Sequence, residues 1–450
     1  MAKRCVAPAG FVILAMLVIA GCAGVGLDRA HQEYLEAMAL VEQNNNSGNR
    51  AQAVALFEKA ADDGSAAAAY QLARMYYQYN ELSHDYELRR EKQALWLKRA
   101  AALGHDQAKL ELAQMYIDQC APYGDGAFQG EGVAILQELG SKGMMEAQKE
   151  LGAYYFCQCS GDAANNEQAF FWYMEAARQD DALSQAQVGY MYSEGLGTAK
   201  DHAQGFIWSL QGAEKGQASA QNNVANRYYH GQGVEQNYYL AIFWYEQAME
   251  NGNKMAVNNL GRLYLDAPPP YRDQAKGLEM IRRAAAGGNK NAMISLGQMY
   301  EKGGCITRDY KQAAHWYEKA SQAGNELGYH YLGHLYLEGK GVAKDPRQAY
   351  QLFMAAVAAE TWGGARHHIG DMYYSGLVVE KDYAKAFEWY MNGAQQGYHG
   401  SRYMVGKMYE LGQGIAKDME QAIAWYRKAA ADSEDTDAKA ALGRLGVAIK

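Results

Sequence analysis

The sequence predicts an all-α protein, an α-solenoid of tandem helix-turn-helix repeats, and two phased columns of residues indicate it. Large apolar residues, most often tryptophan, recur at intervals that begin at 40, 39 and 37 residues and then settle near 36. In step with them, an apolar residue is followed by a small residue and then by an aromatic residue three positions further on. Two columns in phase over eleven periods indicate a repeat protein whose units pack on their neighbours. The first column consists of Leu56, Trp96, Ile135, Trp172, Trp208, Trp244, Met280, Trp316, Leu352, Trp389 and Trp425.

Each period predicts two short helices that pack as a hairpin. In the first helix of one period, Leu296 and Tyr300 stand four positions apart, which places them on one helix face. In the second helix of another, Ala241, Trp244 and Ala248 fall at i, i+3 and i+7. The glycine or alanine beside each leucine removes side-chain bulk where the two helix backbones are expected to approach.

Glycine turns and aspartates mark the helix ends. Gly-x-Gly turns such as Gly339–Gly341 follow the first helix, where glycine takes the positive φ that ends a helix. Asp201, Asp345, Asp382 and Asp418 follow these turns, just before the next helix. Because an aspartate there can accept hydrogen bonds from free amides, we expect these residues to be N-caps.

The repeats resemble the Sel1-like repeat, a relative of the tetratricopeptide repeat. They share its order of Ala-Gln, Leu-Gly-x-Met-Tyr, Gly-x-Gly-Val, Asp and Ala-x-x-Trp-Tyr-x-Lys-Ala-Ala, with good copies at residues 186–213, 313–342 and 383–430. The resemblance runs from about Arg50 to the C-terminus. It implies a right-handed α-solenoid of TPR-like hairpins that acts as an adaptor for other proteins, although one fold serves many roles.

The N-terminus predicts export. Lys3 and Arg4 precede an apolar run, Phe11–Ala20, which is too short to span a bilayer as a helix and reads as a cleaved signal. The segment Val18–Cys22 resembles the lipobox of bacterial lipoproteins, which implies that Cys22 is lipidated. An ordinary signal peptide with an incidental cysteine is the alternative.

The resemblance to lipoproteins implies a location. Ala23 follows the cysteine where an aspartate would retain a lipoprotein at the inner membrane, so we expect the outer membrane and its periplasmic face. The predicted organisation is a signal peptide at residues 1–21, an anchor, short linker and N-terminal helix at 22–50, and the repeat solenoid at 51–450.

Charge and motifs exclude several classes of function. A net charge of -8 leaves no basic surface for nucleic acid. The His-Glu-x-x-His, Gly-x-Ser-x-Gly and phosphate-loop motifs do not occur in the sequence, so we expect no enzyme, cofactor or metal. The expected partners are envelope proteins, including an outer-membrane secretion component, and the membrane through the N-terminal lipid.

Three cysteines lie in the longer early periods. Cys120 and Cys159 occupy equivalent positions in neighbouring repeats, and Cys157 precedes the second of them by two residues. A disulfide from Cys120 to Cys157 or Cys159 suits an oxidising periplasm. Three buried free thiols are the alternative.

A polar stripe on the first helices is the candidate recognition surface. If the alanine, leucine and tyrosine columns face the core, the two residues before each leucine and the second residue after it face outward. In tetratricopeptide relatives the first helices line the concave wall, which implies that this stripe binds partners; simple solvation of a helix face is the alternative. The candidates are Asn222, Asn226, Arg262, His330, Tyr331, His334, His367 and Asp371.

Three histidines of that stripe support a sharper hypothesis. His330 and His334 are one helical turn apart and His367 lies on the next repeat. Their imidazoles could converge on a transition metal or act as a switch at about pH 6. An exposed histidine pair more often does neither, so no metal is predicted.

Three functions follow, in order of preference. The first is a periplasm-facing, lipid-anchored scaffold that mediates protein–protein interactions in an envelope complex, such as a polysaccharide secretion machine. The second is a cell-surface virulence factor that binds host proteins. The third is a hydrolase of cell-wall or antibiotic substrates, against which the missing nucleophile motifs argue.

Overall fold

The computed structural model describes residues 28–43, 47–79, 82, 85–117, 129–157, 163–359, 363–431 and 436–448. These residues form 23 α-helices and no strand, which confirms the predicted all-α repeat fold. No helix among them is long and apolar enough to span a membrane. The helices are α1 Arg29–Gln43, α2 Ser47–Asp62, α3 Ala66–Gln78, α4 Tyr86–Ala102, α5 Asp106–Ile117, α6 Gln129–Ser141, α7 Met145–Cys157, α8 Ala163–Arg178, α9 Ala182–Glu194, α10 His202–Glu214, α11 Ala218–His230, α12 Tyr238–Glu250, α13 Lys254–Asp266, α14 Gln274–Ala286, α15 Lys290–Lys302, α16 Tyr310–Gln322, α17 Glu326–Glu338, α18 Pro346–Ala358, α19 Gly363–Ser375, α20 Tyr383–Gln395, α21 His399–Leu411, α22 Met419–Ala431 and α23 Thr436–Arg444.

Helices α1 to α22 pair as consecutive hairpins, each made of an odd-numbered first helix and an even-numbered second helix, and α23 follows the last of them. The chain divides into two compact units at Ala220 and Gln221, within α11. Within each unit, helices pack mainly on those next to them in sequence, apart from a smaller contact between α19 and α21. The helix α1 precedes the predicted start of the repeats at residue 51 and already forms a hairpin with α2.

The core of each hairpin lies between its two helices. Tyr245, Tyr317, Tyr390 and Tyr426, each following the tryptophan column or its equivalent on a second helix, are at most 1% exposed. The tryptophans lie nearer the surface, since Trp172 keeps 8% of its area exposed. The residue after each tryptophan is therefore the deeper anchor of the hairpin.

An aromatic ring explains most of the glycines in the Leu-Gly pairs. A Cβ atom on Gly152 would lie 2.7 Å from the ring of Tyr173 on the second helix, closer than van der Waals contact permits. The expected close approach of backbones occurs instead at Gly189, where a Cβ would lie 2.7 Å from the backbone nitrogen of Ser209. Rings of second-helix residues lie against four further glycines in the same way: Gly297, Gly333, Gly370 and Gly406.

The predicted caps are confirmed. Asp201, Asp345 and Asp382 are N-caps whose carboxylates accept hydrogen bonds from the first backbone amides of α10, α18 and α20. Asp418 accepts one from the backbone nitrogen of Gln421 at 3.0 Å. These bonds satisfy amides that a helix leaves without internal partners, so they fix where each second helix begins.

The Gly-x-Gly turns take the predicted positive φ. Gly339 ends α17 in the left-handed conformation at a φ of 76°. Gly341 also has a positive φ, and a Cβ atom there would collide with the backbone carbonyl of Tyr310 at the start of the preceding second helix. The turn therefore sets the distance between successive hairpins.

Candidate functional site

The first helices of the second unit line two neighbouring cavities. One, of about 470 Å³, lies between α13, α15 and α17, and its lining includes Arg262, Asn291 and Lys302. The other, of about 440 Å³, is lined mainly by α15 and α17, including Lys302, Tyr331 and His334. We call the surface that these helices present to the two cavities the first-helix face; it carries several residues of the predicted stripe.

Most of the predicted stripe is less exposed than the sequence suggests. Arg262 is exposed, whereas Asn222 and His330 are buried, at 4% exposure each. The others are half-buried: Asn226, Tyr331, His334, His367 and Asp371. Direct contact with a partner is therefore most accessible to Arg262.

Several of the polar side chains of the stripe join neighbouring repeats. Asn259 on α13 donates to the amide oxygen of Asn222 on α11 at 2.9 Å, and Gln298 on α15 donates to the hydroxyl of Tyr331 on α17 at 2.8 Å. Such bonds give the stripe a structural role within the protein. The sequence analysis had considered only partner binding and solvation of the helix face. The sequence of one repeat does not indicate these hydrogen bonds, because the donor and the acceptor belong to different repeats.

Other stripe residues bond the second helix of their own hairpin. The hydroxyl of Tyr245 donates to Asn226 at 2.5 Å, and that of Tyr390 donates to Asp371 at 2.6 Å. Burial raises the pKa of both tyrosines well above the usual value. These phenols therefore remain donors, and they orient the acceptor on the first helix.

A cluster of imidazoles lies where α17 faces α19. The ring of His334 is 4.7 Å from that of His330 and 4.2 Å from that of His368, between ring centres. The sequence hypothesis placed His367 in this group. The ring of His367 instead contacts Tyr390 and Tyr398, although it lies beside His368.

Burial keeps the imidazoles of His330, His334 and His367 neutral by lowering their pKa values. Burial first, and then the neighbouring histidines, lower the pKa of His330 to about 2. Burial likewise lowers the pKa of His334 and of His367 to about 4. Burial opposes ionisation of Asp371, but its bonds to His368 and Tyr390 and the nearby His367 keep its pKa below the usual value. At neutral pH, His330, His334 and His367 are therefore neutral and Asp371 is ionised.

The first unit contains a larger cavity that the sequence analysis did not identify. It has a volume of about 760 Å³ and is lined by residues of α3 to α7, including Arg74, Tyr77, Arg90 and Glu150. Tyr77 is 73% exposed, which is unusual for a large aromatic side chain. The only sequence signal was the greater length of the early periods.

Several predicted sites lie outside the described residues. The signal peptide, the lipidation site Cys22, and the cysteines Cys120 and Cys159 are among them. Cys157 lies exposed at the end of α7, and Cys305 is half-buried; among the described residues both are free thiols. The predicted lipid anchor and disulfide therefore remain predictions.

The geometry agrees with comparisons to known proteins. The chain is 27% identical to a protective antigen of uropathogenic Escherichia coli strains that displays the SLR fold, over 95% of this chain and 88% of that chain, with a TM-score of 0.56. It is 25% identical to a Sel1 repeat protein from Oxalobacter formigenes, over 70% of this chain and 92% of that chain, with a TM-score of 0.49. No curated protein matches the sequence.

The family model for the Sel1 repeat matches most of the chain. The matched segments are residues 46–65, 94–105, 146–181, 182–217, 218–253, 254–289, 290–325, 327–358, 364–398 and 400–433. Sel1 repeats form helical scaffolds for protein–protein interactions rather than catalytic centres. On its repeats, its hairpins and these matches, the chain belongs to the Sel1 repeat family.

Proposed function

We propose that the chain is a lipid-anchored adaptor on the periplasmic face of an outer membrane, where it holds envelope proteins together in a complex such as a polysaccharide secretion machine. The family supports the adaptor role, because Sel1 repeats bind other proteins. The resemblance of Val18–Cys22 to a lipobox supports the anchor.

The observation that carries the adaptor role is the pair of cavities on the first-helix face of the second unit. Their lining combines exposed side chains of both signs, Arg262 and Lys302 with Asp266 and Glu338, with the amide-rich surface of α13 and α15. Partner proteins with hydrogen-bonding side chains and a complementary pattern of positive and negative charges suit such a surface, because complementary charge speeds association and fixes register.

Crosslinking in the native envelope tests this role. We expect the full chain to capture a defined set of envelope proteins, and the double variant Arg262→Glu/Lys302→Glu to lose them. The matched control Arg282→Glu/Arg347→Glu makes the same change in net charge at exposed positions on the second helices α14 and α18, and it should retain them. If both double variants captured the same envelope proteins equally well, the first-helix face would not be the binding surface.

The anchor has its own test. In cells, Cys22→Ala should move the protein from the membrane fraction to the soluble fraction, because lipidation requires the cysteine thiol. A membrane fraction unchanged by this substitution would argue against lipidation at Cys22.

A second function is supported by the likeness to the protective antigen of uropathogenic Escherichia coli. This alternative is a cell-surface factor that binds host proteins. Protease treatment of intact cells separates the two functions: digestion supports the surface factor, and protection until the outer membrane is permeabilised supports the periplasmic adaptor.

A further inference from the structure

We propose that His330, His334 and His368 form a binding site for a divalent transition-metal ion, for which Zn²⁺ is the probe. This site is independent of the adaptor role. It rests on the arrangement of the three imidazoles, on the carboxylate behind one of them, and on the cavity beside them.

The three imidazoles are arranged as ligands of one ion. One nitrogen from each of His330, His334 and His368 lies within 4.8 Å of the other two. The ring centres are separated by 4.2 Å, 4.7 Å and 5.4 Å. Zn–N bonds of about 2.0–2.1 Å in a tetrahedral site place ligand nitrogens about 3.3 Å apart and ring centres about 5 Å apart. Binding therefore requires the nitrogens to approach one another by at most about 1.5 Å.

Two helices fix the positions of these ligands. His330 and His334 are four residues apart on α17, so they lie on one face of that helix. His368 approaches from α19, in the next hairpin. The ring of Phe353 on the intervening α18 lies 5.0 Å from the ring of His368 and 5.7 Å from that of His334, between centres. A metal here would therefore join two successive repeats.

A carboxylate orients the third ligand. Asp371 Oδ2 lies 3.3 Å from His368 Nδ1, and Asp371 is itself held by the hydroxyl of Tyr390 at 2.6 Å. A hydrogen bond from Nδ1 to the carboxylate leaves the lone pair of the other ring nitrogen, Nε2, available. That nitrogen is buried and has no hydrogen-bond partner among the described residues. Metal-binding histidines commonly have this second hydrogen bond to a carboxylate.

The nature of the ligands selects the kind of ion. Neutral imidazole nitrogens suit Zn²⁺, Cu²⁺ and Ni²⁺, whereas Mg²⁺ and Ca²⁺ prefer oxygen ligands. His330 and His334 both line the cavity of about 440 Å³, so an ion can enter, and water or a partner's side chain can complete its coordination.

Zinc titration of the full chain, produced without a polyhistidine tag, tests the site. Competition with a chromophoric chelator should show that His334→Ala and His368→Ala each weaken Zn²⁺ binding at this site by at least ~100-fold, because each removes a ligand. Asp371→Asn should weaken it by about 10- to 100-fold through the orientation of His368. His315→Ala, at an exposed histidine on α16 outside the cluster, should leave the affinity unchanged.

Two further measurements separate this site from loss of fold and from cysteine ligands. Zn²⁺ should raise the Tm of the wild type but not of His334→Gln/His368→Gln, which keeps similar side-chain volume. Co²⁺ bound at the site should lack thiolate charge-transfer absorption. No Zn²⁺ binding by the wild type, or an affinity that the histidine variants leave unchanged, would overturn the proposal.

Discussion

At the scale of single residues, a glycine on the first helix faces a large aromatic ring on the second helix in five of the hairpins. The glycine beside the leucine of a first helix lies against the ring of a second-helix residue, as Gly152 lies against Tyr173. Glycine is costly within a helix by about 0.5–1 kcal/mol relative to alanine. It is kept because any Cβ atom at that position would overlap a buried ring.

This matching predicts the effect of adding one methyl group. Gly152→Ala should lower the free energy of unfolding by roughly 1–3 kcal/mol, since the Tyr173 ring must shift within a packed core. Chemical denaturation with circular dichroism measures the change. Gly443→Ala is the matched control: nothing described lies within 4 Å of its Cβ position, so helix propensity should leave stability equal or higher. Similar losses in both variants would contradict this explanation.

At the scale of helices, polar contacts dock one helix on another. The guanidinium of Arg444 on α23 makes two bonds to the carboxylate of Glu410 on α21, at 2.7 Å and 2.8 Å. The hydroxyl of Tyr426 on α22 donates to the same carboxylate at 2.7 Å. These bonds, with Arg444 the larger influence, hold the pKa of Glu410 below its usual value. One carboxylate therefore joins three consecutive helices.

These bonds of Glu410 predict that the stability of α23 depends on pH. Glu410→Gln should weaken docking of α23 by about 1 kcal/mol at neutral pH, a modest value because Arg444 is largely exposed. Since folding lowers the pKa of Glu410, the stabilisation is complete above about pH 5 and is lost as the pH falls through the folded-state pKa. Hydrogen exchange of α23 amides at several pH values measures it. If the stability of α23 differed by the same amount between the wild type and Glu410→Gln at all pH values, ionisation of Glu410 would not be the cause.

At the scale of the whole molecule, stability comes from contacts between neighbouring repeats. Within each unit the hydrophobic core is a series of clusters, each formed by a few consecutive helices. A repeat protein of this kind approximates a one-dimensional chain of units coupled to their neighbours. Damage to one cluster should therefore stay local.

A cavity in one cluster tests this locality. Leu139 on α6 is fully buried, so Leu139→Ala should lower the local free energy of unfolding by about 2–5 kcal/mol. Hydrogen exchange should accelerate in α5 to α8 and remain unchanged in α15 to α20. Equal acceleration in both regions would show instead that the chain unfolds as one cooperative body.

The sequence by itself determined the repeat, the hairpins and the caps. The phased columns predicted the second helices, and the aspartates predicted where those helices begin, because both signals depend only on residues close together in the chain. The sequence predicted that a small residue is needed at Gly152, but it did not predict the ring that requires it. That ring belongs to Tyr173, 21 positions later in the chain.

Only the tertiary structure decided which polar residues of the stripe remain accessible and which histidines meet. Asn222 and Tyr331 are engaged by neighbouring repeats, and His368 rather than His367 turns toward His334. Both outcomes depend on how one hairpin rotates against the next. Helical periodicity assigns a residue to a broad face of its helix, but adjacent residues such as His367 and His368 differ by about 100° around the axis. Packing between repeats therefore selects one of them.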